Sequence, residues 1–215
     1  MFMDIEKYLY IIMGVDGSGK TTIVDKVTCE MEKLYQNMFV VKDPYFNNVE
    51  MKKSFRDGSI YERKDPNKDI HALRMDNHKV IGSFRNNCIT ISDRGFIDTS
   101  VYLNEDSETS RINIHNAIKD LRKIYDEIHI IYISTKHADI VEKIVKRDEQ
   151  DEQDRMILNP YTYDKLSKSF IDKSKIASEQ DGVYFHSLEH RLTQESLHDI
   201  TGYILKMILH INQED

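Results

Sequence analysis

The sequence predicts an α/β protein built on a parallel sheet, and three observations carry that expectation. Short apolar, β-rich runs alternate with long amphipathic stretches along the whole chain. Glycine (8) and proline (3) are scarce among 215 residues, which leaves room for long uninterrupted helices. A glycine-rich loop follows the first apolar run directly and leads into an amphipathic stretch, the order expected of strand, loop and helix.

Residues 8–13 (YLYIIM) form a compact apolar run stopped by Gly14 and read as a buried strand. Residues 22–34 place Ile23, Val24, Val27, Met31 and Leu34 on one helical face. A second strand at 38–41 ends at Asp43-Pro44. Asp65-Pro66 opens a helix, with Asp as N-cap and Pro at the first helical position, running to about Phe84. A third strand at 88–91 leads into Ser92-Asp93-Arg94, followed by a short helix near 98–103 and a longer one near 110–125. The remaining expectations are a strand at 128–133, a helix at 138–146, a charged loop or flap at 147–155, a helix at 161–177, a short strand at 183–185 and a closing helix at 193–211. No internal repeat or domain boundary interrupts this order, so residues 1–215 are expected to form a single domain with right-handed crossovers.

Composition sets limits on partners. Hydrophobic residues at 40% suffice for a core, and a formal charge of −7 argues against a broad surface for nucleic acid, whose non-specific binding needs many Lys and Arg. A phosphate-bearing ligand must instead meet a few focused cations. Cys29 and Cys88 form neither a disulfide framework nor a zinc pair and are expected to be buried small hydrophobes in a reducing compartment. No apolar run approaches a membrane span and no basic n-region opens the chain, so a soluble, cytoplasmic protein is expected.

The loop Gly14-Val15-Asp16-Gly17-Ser18-Gly19-Lys20-Thr21-Thr22 fits G-x-x-x-x-G-K-[ST]. Glycines let the backbone curl so that successive N–H groups face an anion, and the helix that follows adds its positive end. In such a loop Lys20 reaches the outer phosphates and the Thr21 hydroxyl ligates Mg²⁺. This predicts a nucleoside-triphosphate site using ATP and Mg²⁺. A GTPase would need Asn-Lys-x-Asp, and Asn67-Lys68-Asp69-Ile70 fails at the last position, inside an expected helix. A large motor or transporter would need partner domains, whereas a small-molecule kinase fits the length.

At the end of the third strand, Asp93 is well placed to hold a Mg²⁺-bound water and Arg94 to clamp an acceptor phosphate bidentately. With these residues in view, nearly the whole chain resembles the thymidylate kinase family and its deoxynucleoside kinase relatives. The loop GVDGSGKTT looks like the family's P-loop, with Asp16 where the family brings an acidic residue to the acceptor sugar. Lys42-Asp43-Pro44 is similar to the family's Arg-Glu-Pro. Asp93-Arg94 with Thr99 and Tyr102 resembles its DR-x-x-x-S-S-x-x-Y stretch, and residues 147–159 resemble its LID, ending near Asp154-Arg155. The resemblance implies a P-loop NTPase three-layer sandwich, a five-stranded parallel sheet flanked by helices, with a short LID. It also implies homodimerisation, for which the residues give no independent sign.

Two positions depart from the family's pattern. Leu103 stands where dTMP enzymes place a thymine-reading Gln, and Ile70 or His71 precedes Arg74 where they place a stacking aromatic. Gly17 occupies a loop position where some members carry a catalytic Arg, so by resemblance the catalytic cations fall to Arg147 and Arg155, amid five acidic residues.

The reaction expected is transfer of the ATP γ-phosphoryl to a deoxynucleoside monophosphate, dTMP or a related pyrimidine nucleotide. Arg94 and Arg74 would hold the acceptor phosphate, and Asp16, Asp43, Thr99 and Tyr102 the rest of it. One alternative is a deoxynucleoside kinase, in which Asp43 would serve as general base to a hydroxyl. Another is a P-loop regulator that binds ATP without transferring phosphate.

Overall fold

The computed structural model describes residues 6–34, 38–42, 49–84, 87–146 and 152–211. Asp43, a predicted substrate residue, and Arg147, a predicted catalytic cation, lie outside them. Five parallel strands form the sheet: β1 (Lys7–Met13), β2 (Met38–Lys42), β3 (Cys88–Asp93), β4 (Glu127–Ser134) and β5 (Val183–Glu189), in the order β2-β3-β1-β4-β5. β1 is central. Tyr10 pairs with Ile91 of β3 on one side and with His129 of β4 on the other.

Alternation along β1 explains the layers. Leu9, Ile11 and Met13 point into one core, and Tyr8, Tyr10 and Ile12 into the other. β4 divides in the same way, with Ile128, Ile130 and Tyr132 on the first face and Ile131 and Ile133 on the second. A strand buried on both faces must be apolar throughout, which is why β1 reads as a continuous run.

The second face is covered by α1 (Lys20–Met31) and α9 (Gln194–Ile211), through Ile23, Val24 and Val27 from one and Ile200, Ile204 and Ile208 from the other. The first face is covered by helices contributed from the middle of the chain: α3 (Pro66–Gly82), α4 (Phe96–Tyr102), α5 (Ser107–Leu121), α6 (His137–Val145), α7 (Glu152–Ile157) and α8 (Pro160–Ser178). This is the expected three-layer α/β sandwich. Each fully buried Ile contributes about 1.5–3 kcal/mol of transfer free energy.

The Asp65-Pro66 start holds: the Asp65 carboxylate accepts from the Lys68 amide and Pro66 opens α3. Four features differ from the sequence expectation. A helix α2 (Val49–Arg56) and a 3-10 turn (Ser59–Glu62) precede α3, with Met51 and Ile60 packing on Ile70. β5 continues to Glu189, because half its side chains face outward and it carries no apolar run. Residues 152–155 of the charged segment are helical, in a helix that runs on to Ile157. Cys29 is exposed on α1 while only Cys88 is buried. Among the described residues no helix is long and apolar enough to cross a membrane.

Candidate active site

In a parallel sheet all strands end at one edge, and ligands bind where neighbouring strands send their connections to opposite faces. Here that point is the end of β1, between β3 and β4. The chain leaves Met13 as the predicted loop. A Cβ on Gly14 would lie 2.6 Å from the Ile133 carbonyl oxygen, so only glycine fits beside β4. Gly19 has φ 88° and starts α1 with no side-chain cap and no acidic residue in the first turn. The N-terminal amides of α1 are therefore available to an anion. Ser18 Oγ is buried there and makes no hydrogen bond among the described residues.

Lys20 is buried, donating to the Val15 carbonyl at 2.9 Å and to Asp16 Oδ1 at 3.4 Å. Burial and the neighbouring Arg94 cation lower its pKa, opposed by Asp16, Asp98 and Asp93. The Thr21 hydroxyl donates to Asp93 Oδ2 at 2.9 Å across to the tip of β3. Asp93 Oδ1 is buried and makes no hydrogen bond among the described residues. A hydroxyl and a carboxylate with a spare oxygen suit Mg²⁺, which is usually held by few protein oxygens plus water and phosphate. Among the described residues no three or more His, Cys, Asp or Glu are grouped so as to hold a metal ion.

The turn after β3 is built to present Arg94. Its φ is 74°, a left-handed conformation that costs a non-glycine residue about 1–3 kcal/mol. Three local bonds hold it. The Arg94 amide donates to Ile12 O, the Ser92 hydroxyl donates to Arg94 O at 2.7 Å, and the Gly95 amide donates to Asp98 Oδ2 at 2.9 Å. The Arg94 guanidinium then meets the Asp16 carboxylate in an ion pair and lies 5.7 Å from the centre of the Tyr102 ring. The Tyr102 hydroxyl accepts from the Asp16 amide at 3.2 Å. Burial alone would raise the Asp16 pKa, but Arg94 and Lys20 prevail and hold it at about 2. Asp16 and Tyr102 likewise drive each other apart: burial and the Asp16 charge push the phenol well above its ordinary range.

The structure thus brings Asp16, Lys20, Thr21, Asp93, Arg94 and Tyr102 together. Thr99 and Arg74 meet beneath them, Arg74 donating to Thr99 Oγ1 at 3.0 Å from a position only 2% exposed. Arg155 is exposed on α7. Gly17 packs against α6, where an added Cβ would sit 2.9 Å from Ile140 Cγ2, so this loop has no room for a side chain there. Ile70 is buried against Met51 and Ile60, and His71 turns to Asp120 at 3.2 Å; neither is free as a base-stacking platform.

Two clefts flank this centre. The first, about 620 Å³, adjoins Gly19 and Thr22 and is walled by Lys143, His190 and Leu192. The second, about 550 Å³, is lined by Tyr102, Leu103 and Asn104 together with Tyr61 and Met156. The sequence points to Gly19, Thr22, Tyr102 and Leu103 but not to the others. His190 is buried with its ring against Gly19 and its Nδ1 3.0 Å from Ser196 Oγ, a contact without a local signal.

No protein-family model matches the chain, and no curated protein does. Solved structures do. The chain is similar to thymidylate kinase from Ehrlichia chaffeensis, with TM-score 0.56 and 16% identity over 94% of this chain and 99% of that one. It is similar to the YorR protein from Bacillus subtilis, solved in complex with phosphorylated GDP, with TM-score 0.57 and 14% identity over 96% and 98%. Thymidylate kinase from Candida albicans gives TM-score 0.55 and 15% identity over 99% and 96%. What the chain shares with them is the fold, over nearly its whole length.

Proposed function

We propose that this protein is a nucleotide kinase that transfers the ATP γ-phosphoryl to the 5′-phosphate of a deoxynucleoside monophosphate, dTMP or a related pyrimidine nucleotide. The observation that carries it is the convergence of two cations, Lys20 of the phosphate loop and Arg94 of the tip of β3, on one carboxylate oxygen, Asp16 Oδ1. One cation belongs to the loop that takes a triphosphate and the other to a neighbouring strand end, so a donor and an acceptor phosphate can each meet its own cation.

Phosphoryl transfer needs positioning and charge neutralisation more than covalent help. The loop amides and the uncapped start of α1 bind the donor phosphates, and Lys20 neutralises their outer oxygens. Thr21 and, through water, Asp93 would hold Mg²⁺, which supplies further charge neutralisation when bound. The cleft beside Gly19 and Thr22 takes the donor base, and the cleft beside Tyr102 takes the acceptor nucleoside. Arg94 exchanges Asp16 for the acceptor phosphate, leaving Asp16 to the sugar hydroxyl. Arg155, on α7, closes over the transferring group and excludes water.

A hydroxyl acceptor must lose a proton to a base, the part given to Asp43, which lies outside the described residues. A monophosphate is already anionic and needs none. A panel of nucleosides and monophosphates in an ADP-release assay tests the reading. Turnover of monophosphates is expected; turnover of nucleosides alone overturns it in favour of a nucleoside kinase. ATP binding with no acceptor-stimulated release marks a nucleotide-binding regulator.

A further inference from the structure

Helix α4 is seven residues long, too short to hold its own position, since isolated helices of that length do not persist in water. Yet it carries Thr99 and Tyr102, and Tyr102 both bonds the loop and lines the second cleft. Its first turn is fixed by Asp98 and Gly95. Its last turn is fixed by a polar hub that the phosphate-transfer machinery does not use.

The hub has two charged members. The Glu105 carboxylate accepts from Asn67 Nδ2 of α3 at 2.8 Å and from Asn113 Nδ2 of α5 at 2.7 Å on one oxygen, and from Ser100 Oγ of α4 at 2.6 Å on the other. The Lys173 ammonium, reaching in from α8, donates to Ser100 O at 2.6 Å, to Ser100 Oγ at 3.1 Å and to Glu105 O at 3.2 Å. Ser110 of α5 closes the ring, its hydroxyl donating to Glu105 O at 3.3 Å and lying 3.0 Å from Ser100 Oγ. Four helices thus meet on the six residues from Ser100 to Glu105.

Burying a lysine beside a half-buried carboxylate is a costly way to glue helices. Apolar side chains of like volume usually serve cohesion as well or better, while a fully bonded ionic group admits only one arrangement. Lys173 bears this cost: burial brings its pKa down to about 8, despite the attraction of Glu105 and Asp106. The arrangement it enforces is the register of Tyr102 against the Asp16 amide, two residues along from Ser100.

We propose that Glu105 and Lys173 are positioning residues for the acceptor half of the site, setting α4 so that the second cleft is aligned with the phosphate loop. This rests on the phosphotransfer reading above. The test uses the full-length protein with Glu105→Gln and Lys173→Met, and measures KM for the acceptor and for ATP separately. It adds hydrogen–deuterium exchange over residues 96–106 and 7–13. Expected are a rise of about tenfold or more in acceptor KM, ATP KM within about twofold of wild type, and faster exchange at 96–106 with β1 unchanged. Equal changes in both KM values, or none in either, overturn the proposal. Should Lys173→Met not fold, Glu105→Gln, which keeps the side chain's size, decides alone. If the wild type turns over no acceptor, the kinase reading fails. The positioning claim then stands on faster exchange at 96–106 in the variants and falls on unchanged exchange.

Discussion

Arg94 and Asp16 form an ion pair across the mouth of the phosphate loop, both largely shielded from solvent. The pair joins the tip of β3 to the loop after β1, and it occupies the cation assigned to the acceptor phosphate. Arg94→Ala should lower kcat/KM for the acceptor by about 10²–10³-fold while leaving ATP affinity nearly unchanged. Arg94→Lys should recover only part of the loss, because a lysine cannot make the forked contact. The same Ala variant should let the Asp16 carboxyl rise from about 2, measurable by ¹³C NMR titration. A carboxyl that stays put would show that Lys20 alone holds it down.

Metal dependence should trace to Asp93 and Thr21. Asp93→Asn keeps the shape of the Thr21 contact but removes the charge, and should raise the Mg²⁺ concentration for half-maximal turnover by about 10–100-fold. Thr21→Ser should be tolerated and Thr21→Val should not. Titrating Mg²⁺ at saturating ATP separates these outcomes.

Three glycines should respond to alanine in three ways, for three reasons. At Gly95 the backbone is extended, but a Cβ would lie 2.6 Å from Ile11 Cγ2 on β1, so overpacking should cost about 1–3 kcal/mol. At Gly58 nothing lies within 4 Å and only the φ of 79° matters, at about 1 kcal/mol. At Gly202, inside α9 with open space around it, alanine should stabilise by about 0.5–1 kcal/mol. Urea midpoints of the three variants give the order.

Acid should weaken the protein before its carboxylates titrate. His129 is stacked between Tyr10 at 4.8 Å and Tyr184 at 4.9 Å, and burial together with His186 lowers its pKa to about 4. His78, bonded to the Tyr125 hydroxyl at 2.7 Å, falls to about 3 through burial and the Arg74 and His71 charges. Both rings bind protons more readily in the unfolded chain. Their contribution is therefore complete above about pH 6.5 and is lost as pH falls toward 4 and 3. Each ring forfeits about 1.4 kcal/mol for every pH unit that separates its folded and unfolded values. Asp16 acts in a separate window, below about pH 4. His129→Phe should flatten the decline in melting temperature between about pH 6.5 and 4.

The parts legible in the sequence share one property: their signal is local. Residues 8–13 are apolar because both faces of β1 are covered, and the loop's glycines and Lys20 announce their chemistry by spacing alone. β5 reads too short because its outward side chains break the apolar run after Phe185. The helix at 152–157 reads as loop because, among the described residues of the charged segment, only Asp154 is buried, three residues before the buried Ile157, and propensity assigns an Asp to the surface. Lys173 does leave a trace. It lies on the buried stripe Phe170, Lys173, Ser174 and Ala177, where helical spacing asks for an apolar residue. Glu105, in a junction between helices, leaves none, because its three donors come from α3, α4 and α5.

The central place of β1 governs when the site can exist. On the ribosome β1 and the phosphate loop emerge before both of their neighbours in the sheet, β3 and β4, with β2 and several helices made in between. Until then Gly14 has no Ile133 carbonyl beside it and Asp16 has no Arg94. Pairings this distant in sequence form slowly and leave apolar strands unsheltered meanwhile. The phosphate loop of a newborn chain therefore cannot take its final surroundings until β4 is in place, and demand on chaperones should be greatest while β1 waits.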